Sequence, residues 1–233
     1  MANVTRILPG RLPRIALAAG LGLLLAACSA ATATPAVVPT EATAANTGLA
    51  VPGQMRLALA DTGNTARFLV TEQLAGKDLP SDAVGETTSI EGELVITEQG
   101  EIVAEASHFT VDLATLKTDS GMRDNFIRRN TLETSQYPDA TFVPAAVSGL
   151  PVPLPTSGDV TFQLTGDMTL HGVTKSITWD VTGTIQGGNA LVGQAATSFT
   201  FADFGLEQPR VARVLSVEDN IRLQYDFNLV LAQ

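Results

Sequence analysis

Cysteine and histidine are nearly missing from this chain. Cys28 is the only thiol, and His108 and His171 are the only imidazoles. No disulfide can form within the chain, and no set of four Cys and His ligands can be assembled around a metal. Basic residues are also scarce: 14 Lys and Arg stand against 24 Asp and Glu, for a net charge of −10. That balance works against nucleic acid as a partner and against electrostatic docking on anionic lipid heads. The chain has no Gly-x-Ser-x-Gly elbow, no phosphate loop and no dinucleotide fingerprint; Asp203-Phe204-Gly205 spells a kinase triplet with nothing else of a kinase around it. No enzyme activity, metal or cofactor is expected. The longest apolar run, from Ile15 to Ala27, is too short to span a bilayer comfortably.

That run has a role at the N-terminus. Arg6, Arg11 and Arg14 precede it, so residues 1–27 read as a targeting segment to be left out of the fold. Its end, Leu25-Ala26-Ala27-Cys28, resembles the lipobox of bacterial lipoproteins, in which the leader is cut before the cysteine and the thiol takes a diacylglyceryl group. The alternative is an ordinary cut at Ala31-Thr32-Ala33. Lipidation of Cys28 is the expectation, with the mature chain extracytoplasmic and held to a bacterial membrane by acyl chains and not by a spanning helix. Cutting there removes three Arg and no acid, which leaves the mature chain more acidic still. Residues 28–51 are Ala, Thr and Pro with almost no charge, the composition of a flexible tether. The folded domain is placed at 52–233.

Within that domain, alternation of apolar and polar residues predicts strands near 55–60, 65–71, 91–98, 102–113, 141–147, 159–170, 176–186, 190–201 and 220–231. The last is the cleanest. Ile221, Leu223, Tyr225, Phe227, Leu229 and Leu231 share one parity, and Arg222, Gln224, Asp226 and Asn228 the other. Gln99-Gly100, the Pro-rich 151–155 and Gly187-Gly188-Asn189 read as turns, and His171-Gly172 as a tight hairpin turn. The stretch 74–89 reads as an insertion. Between Thr118 and Leu132 the period turns helical, with Asp119 or Ser120 as cap and Arg128-Arg129 in the last turn. Many strands, short connections and one helix leave two architectures open, an up-and-down barrel and a two-sheet sandwich.

The wording around the hairpin is specific. Gly166-Asp167-Met168-Thr169-Leu170-His171-Gly172-Val173-Thr174-Lys175 resembles the signature of the YceI-like family. Phe109-Thr110-Val111-Asp112-Leu113, Leu116-Lys117-Thr118-Asp119, Arg123-Asp124 and Tyr137-Pro138-Asp139-Ala140-Thr141-Phe142 follow that family's order, and the likeness covers 92–231. The resemblance implies an all-β, antiparallel, lipocalin-like up-and-down barrel of about eight strands with one short helix. It also implies binding, storage or transport of an amphiphile with an isoprenoid tail, a polyprenol or an isoprenoid quinone, inside the barrel. The alternative is an adhesive or structural β-sandwich domain with a solid interior.

Under the binding reading, the apolar stripe of Phe109, Val111, Phe142, Phe162, Leu164, Trp179, Phe199, Phe201, Leu223, Tyr225 and Phe227 supplies the ligand-binding wall. Under the solid reading the same residues are only core. Arg123-Asp124 either meets a polar head group or caps a short helix, the simpler reading. His171 reads as a turn histidine satisfied by nearby backbone. Gly166, Gly183 and Gly193 fall on the apolar parity of successive strands, where a glycine either lets the strand coil sharply or thins the wall of a lumen.

Overall fold

The computed structural model describes residues 53–232. The leader, Cys28 and the tether lie outside the described residues. Ten antiparallel strands build one sheet: β1 (Gln54–Leu59), β2 (Thr65–Leu74), β3 (Ser81–Thr87), β4 (Ile90–Thr97), β5 (His108–Asp112), β6 (Asp139–Ser148), β7 (Gly158–Leu170), β8 (Val173–Gln186), β9 (Ala190–Phe199) and β10 (Val214–Leu231). Eight of them close a ring in the order β1-β4-β5-β6-β7-β8-β9-β10, sealed by Leu57 opposite Leu231 and Leu59 opposite Leu229. The sandwich alternative is thereby excluded.

The remaining two strands extend the wall. β10 is long enough to pair with β1 near its end and with β2 from Val214 to Asp226. β1 and β2 therefore run one after the other along β10, and β3 and β4 run back beside them. The 74–89 insertion is thus a turn followed by β3, which forms a hairpin with β2. Its alternation was hidden because β3 buries Ala83, Gly85 and Thr87 while exposing Asp82, Val84 and Glu86. A Cβ on Gly85 would lie 2.2 Å from Cε1 of Phe68, so that glycine makes room for an inward phenyl ring.

Two other strands are shorter than expected. The strand placed at 102–113 begins at His108, after a 3₁₀ turn at Ala104–Ala106. There the buried Ser107 hydroxyl accepts from Val95 N (2.9 Å) and donates to Val95 O (3.2 Å), taking the place of a ladder pair. The strand placed at 190–201 stops at Phe199, because Thr200 and Asp203 form a reciprocal capping box around a 3₁₀ turn, Phe201–Phe204. The kinase-like triplet is this turn: Phe204 is fully buried against Phe199 and Gly205 ends it at φ +63°. β10, in contrast, starts six residues earlier than alternation suggests, because register shifts at Val214–Ser216 and Val217–Ile221 break its pattern.

At the end of the barrel reached by β7, His171 and Gly172 form the hairpin turn with φ +52° and +74°. His171 does not rest on backbone as expected. Its Nε2 lies 2.9 Å from Glu133 Oε2 and its ring packs edge-on against Tyr137 at 4.6 Å. The helical segment sits at this same end. α1 (Gly121–Phe126) is capped by Ser120, whose Oγ accepts from Arg123 N, and runs into a wider π turn at Ile127–Thr131.

Candidate functional site

Inward residues of the ring do not meet in the middle. They enclose a cavity of about 850 Å³. It follows β10 from Leu229 to Arg213. With the three residues that its register shifts bulge out left aside, about 3.3 Å per residue and a strand tilt of about 40° give that stretch a depth of roughly 33 Å. Beyond Leu229 the interior is filled by Leu57, Ile96, Val160 and Ile185, with Leu150 and Leu154 packed beneath them. The opposite end opens between α1, the β2–β3 turn and the loop before β10, where exposed Lys77, Met122, Val211 and Arg213 form the edge. The shape is a deep apolar well with one mouth.

All eleven residues of the apolar stripe line this well. Their strands deliver them by parity: Phe162 and Leu164 on β7, Trp179 on β8, Phe199 on β9, and Leu223, Tyr225 and Phe227 on β10. Phe109 and Phe142 lie opposite each other on β5 and β6. Phe142 meets Trp179 edge-on at 6.1 Å, and Phe109 meets Tyr225 at 6.3 Å. β5 and β10 are separated by two strands in the ring, so this last contact bridges the interior and forms an aromatic waist.

Two polar atoms are stranded in this wall. Trp179 Nε1 and Tyr225 Oη are buried without a hydrogen-bond partner. Burial pushes the Tyr225 phenol well above its ordinary value of 10, which keeps the hydroxyl neutral. Leaving such a donor unpaired costs about 1–3 kcal/mol. An occupant with an oxygen acceptor, placed after small side-chain shifts, would relieve that cost.

Several wall residues were not foreseen. Ala66, Phe68, Val70, Glu72 and Leu74 all face inward from β2. Phe126, Ile127 and Leu206 join them from the helical segment and the loop before β10. The informative signal was Glu72, a carboxylate on an otherwise apolar parity. It is buried at the mouth and accepts from Arg123 Nη2 at 2.6 Å, while Arg123 also pairs with Asp119. Arg123 therefore lines the cavity with its charge already matched, a strut between α1 and the barrel wall. Asp124 does not line it. Its carboxylate accepts from the Thr118 hydroxyl (2.7 Å) and backbone N (2.8 Å), bonds that hold its pKa below the usual value and fix the approach to α1.

The three glycines do not thin the well. A Cβ on Gly193 would lie 2.1 Å from Thr182 O, and one on Gly166 2.2 Å from Val143 O. Gly183 and Gly193 face each other across β8 and β9. The three glycines allow neighbouring backbones, and at Gly166 and Gly193 the rings of Phe142 and Phe227, to approach closely, and none of them lines the cavity. Among the described residues no group of three His, Cys, Asp or Glu is arranged to hold a metal ion.

Comparison with known proteins agrees with this architecture. The UPF0312 protein of Pseudomonas putida is 36% identical over 113 residues, 45% of this chain and 55% of that protein, and a Pseudomonas syringae relative is 35% identical over the same length. The match spans about half the length of these relatives. A polyisoprenoid binding domain from Saccharophagus degradans, implicated in plant cell wall breakdown, superposes with a TM-score of 0.58 at 16% identity, covering 77% of this chain and 99% of that one. Burkholderia cenocepacia BcnA (TM-score 0.52, 16% identity, 71% and 95% covered) and the Campylobacter jejuni YceI protein (0.52, 18%, 69% and 91%) share the fold. The YceI-like domain pattern runs through residues 55–229, nearly the whole described barrel, and this chain belongs to the YceI-like family.

Proposed function

We propose that this domain binds one amphiphile with a long isoprenoid tail, a polyprenol or an isoprenoid quinone, and stores or carries it at a membrane surface. The well carries the reading. Its volume of about 850 Å³ falls within the roughly 300–1,000 Å³ of sites that enclose a small ligand. Its wall is almost wholly aliphatic and aromatic. A tail inside it needs no polar partner, and each buried CH₂ contributes roughly 0.8 kcal/mol. The likeness to a polyisoprenoid binding domain supports the choice of tail.

The role in this reading is that of a container. Acylation of Cys28 would hold the container at the extracytoplasmic face of a bacterial membrane, within reach of such lipids. The chain carries a reporter of its own cargo, since Trp179 is its only tryptophan and lies in the wall. Titrating delipidated protein with an isoprenoid quinone should quench the Trp179 emission saturably, and a quinone without a tail should bind far more weakly. Equal binding of both, or no saturable quenching, overturns the proposal.

A further inference from the structure

The surface around the mouth is unlike the rest of the molecule. Four of the eight large apolar side chains that stand in solvent among the described residues, including the three most exposed, collect at this end: Leu79 (76% exposed) in the β2–β3 turn, Met122 (84%) on α1, and Val211 (38%) and Leu215 (67%) where the last loop enters β10. These segments adjoin one another. Ala75 N donates to Arg213 O at 3.0 Å, Leu74 pairs with Val214, and Lys77, Met122, Val211 and Arg213 share the edge of one opening. Exposed apolar residues gathered around a cavity mouth mark a surface that meets something apolar.

The charges there point the same way. The chain as a whole is acidic, yet Lys77, Arg210 and Arg213 stand in these loops with no ion-pair partner among the described residues, against Asp78 and Glu207. Apolar tips interspersed with unpaired cations fit the interface of an anionic bilayer, where tips enter the acyl boundary and cations sit among the phosphates. The overall net charge had argued against such a surface; the local arrangement supplies it.

We infer that the mouth of the well docks on an anionic membrane through Leu79, Met122, Val211 and Leu215, so that the cargo passes between bilayer and barrel without crossing water. This inference rests on the cargo reading above. The chain outside the structure permits the orientation. The described domain begins at Gly53, at the closed end of the barrel, and 24 residues separate it from Cys28. Their contour of at most about 85 Å exceeds the roughly 40 Å length of a barrel whose longest strand has 18 residues, with two register shifts, tilted by about 40°. An anchor at Cys28 therefore leaves the opposite end free to reach the lipid.

The test uses the full lipidated chain in vesicles of phosphatidylcholine with one third phosphatidylglycerol. An environment-sensitive dye is placed by Met122→Cys or Leu215→Cys at the mouth, and by Ser157→Cys at the closed end. Brominated lipids should quench the first two labels and spare the third. Quenching at Ser157 alone, or at none of the three, overturns docking. So does a shielding of the mouth labels that grows with protein concentration in the absence of lipid, which would assign the patch to a second copy of this chain. In a second arm, Leu79→Ser and Leu215→Ser together should slow uptake of a quinone from vesicles by at least tenfold, with uptake from detergent unchanged. Unchanged uptake from vesicles contradicts the inference. Failure of the wild type to take quinone from detergent would defeat the cargo reading instead, while the label pattern would still decide docking.

Discussion

Removing one oxygen, by Tyr225→Phe, should make the empty barrel more stable. Tyr225 faces the well, its ring is held edge-on by Phe109 at 6.3 Å and tilted against Phe227 at 6.1 Å, and its hydroxyl has no partner. Phenylalanine keeps both ring contacts and deletes only the stranded donor. The desolvation cost recovered is about 1–3 kcal/mol. At about 2–4 °C per kcal/mol for a domain of this size, melting of delipidated protein should rise by about 2–12 °C. The sign with pH is also fixed. Because the folded phenol titrates above its ordinary value of 10, the unfolded chain loses that proton first. The Tyr225 contribution should be constant below pH 10, wild-type stability should fall as pH rises beyond it, and the variant should fall less steeply. Scanning calorimetry of the delipidated pair, at pH 7 and pH 10.5, reads both. Loading with a quinone should erase part of the variant's advantage, since a carbonyl oxygen would occupy the donor in the wild type. A variant that melts below wild type when empty would refute the argument, because the hydroxyl would then have a partner worth more than its desolvation.

Three further outcomes follow from particular residues. Gly193→Ala places a methyl against Thr182 O, the Gly183 backbone and the Phe227 ring, so it should lower the melting temperature clearly, by an overpacking cost of about 1–3 kcal/mol, and alter quinone affinity only through the displaced Phe227 ring; loss of binding with full stability would return the glycine to the wall of the well. Asp82, Asp124, Asp203 and Asp226 are held below the ordinary carboxylate value, by Arg222, the Thr118 hydroxyl, Lys175 and Arg67 respectively. Stability should therefore be level above about pH 5 and decline as pH falls through 4, and an acid transition unchanged in the Asp203→Asn/Asp226→Asn double variant would contradict that assignment. Mass spectrometry of membrane-extracted protein should find a first peptide that starts at Cys28 and carries acyl mass; a mature terminus at Ala31 or beyond would remove the anchor.

The barrel and its wall were legible in the sequence to different degrees. Where inward residues are large and outward ones polar, as along β7, β8 and β10, parity alone placed Phe162, Leu164, Trp179, Leu223, Tyr225 and Phe227 on the face that lines the well. Closure of the ring was not readable from parity, because a sandwich presents the same one-sided alternation. β3 escaped because its inward residues are Ala83, Gly85 and Thr87, small so that Phe68 can fill the space. The mouth escaped for a different reason. It is assembled from a turn, a short helix and a loop far apart in the chain, and only the fold shows that Lys77, Met122 and Arg213 share one edge. The glycines mislead because inward parity reports a direction, whereas their role concerns the distance between two backbones.

The central claim is that the well holds an isoprenoid amphiphile. Purify the full lipidated chain from membranes of its source cells, strip adventitious lipid by extensive washing, denature it, and identify what is released by mass spectrometry, with the Phe142→Trp variant, which crowds the aromatic waist, carried in parallel. The account predicts about one isoprenoid molecule per barrel and a reduced amount in the variant. Phospholipid alone in the proportions of the surrounding membrane, or nothing, would contradict it.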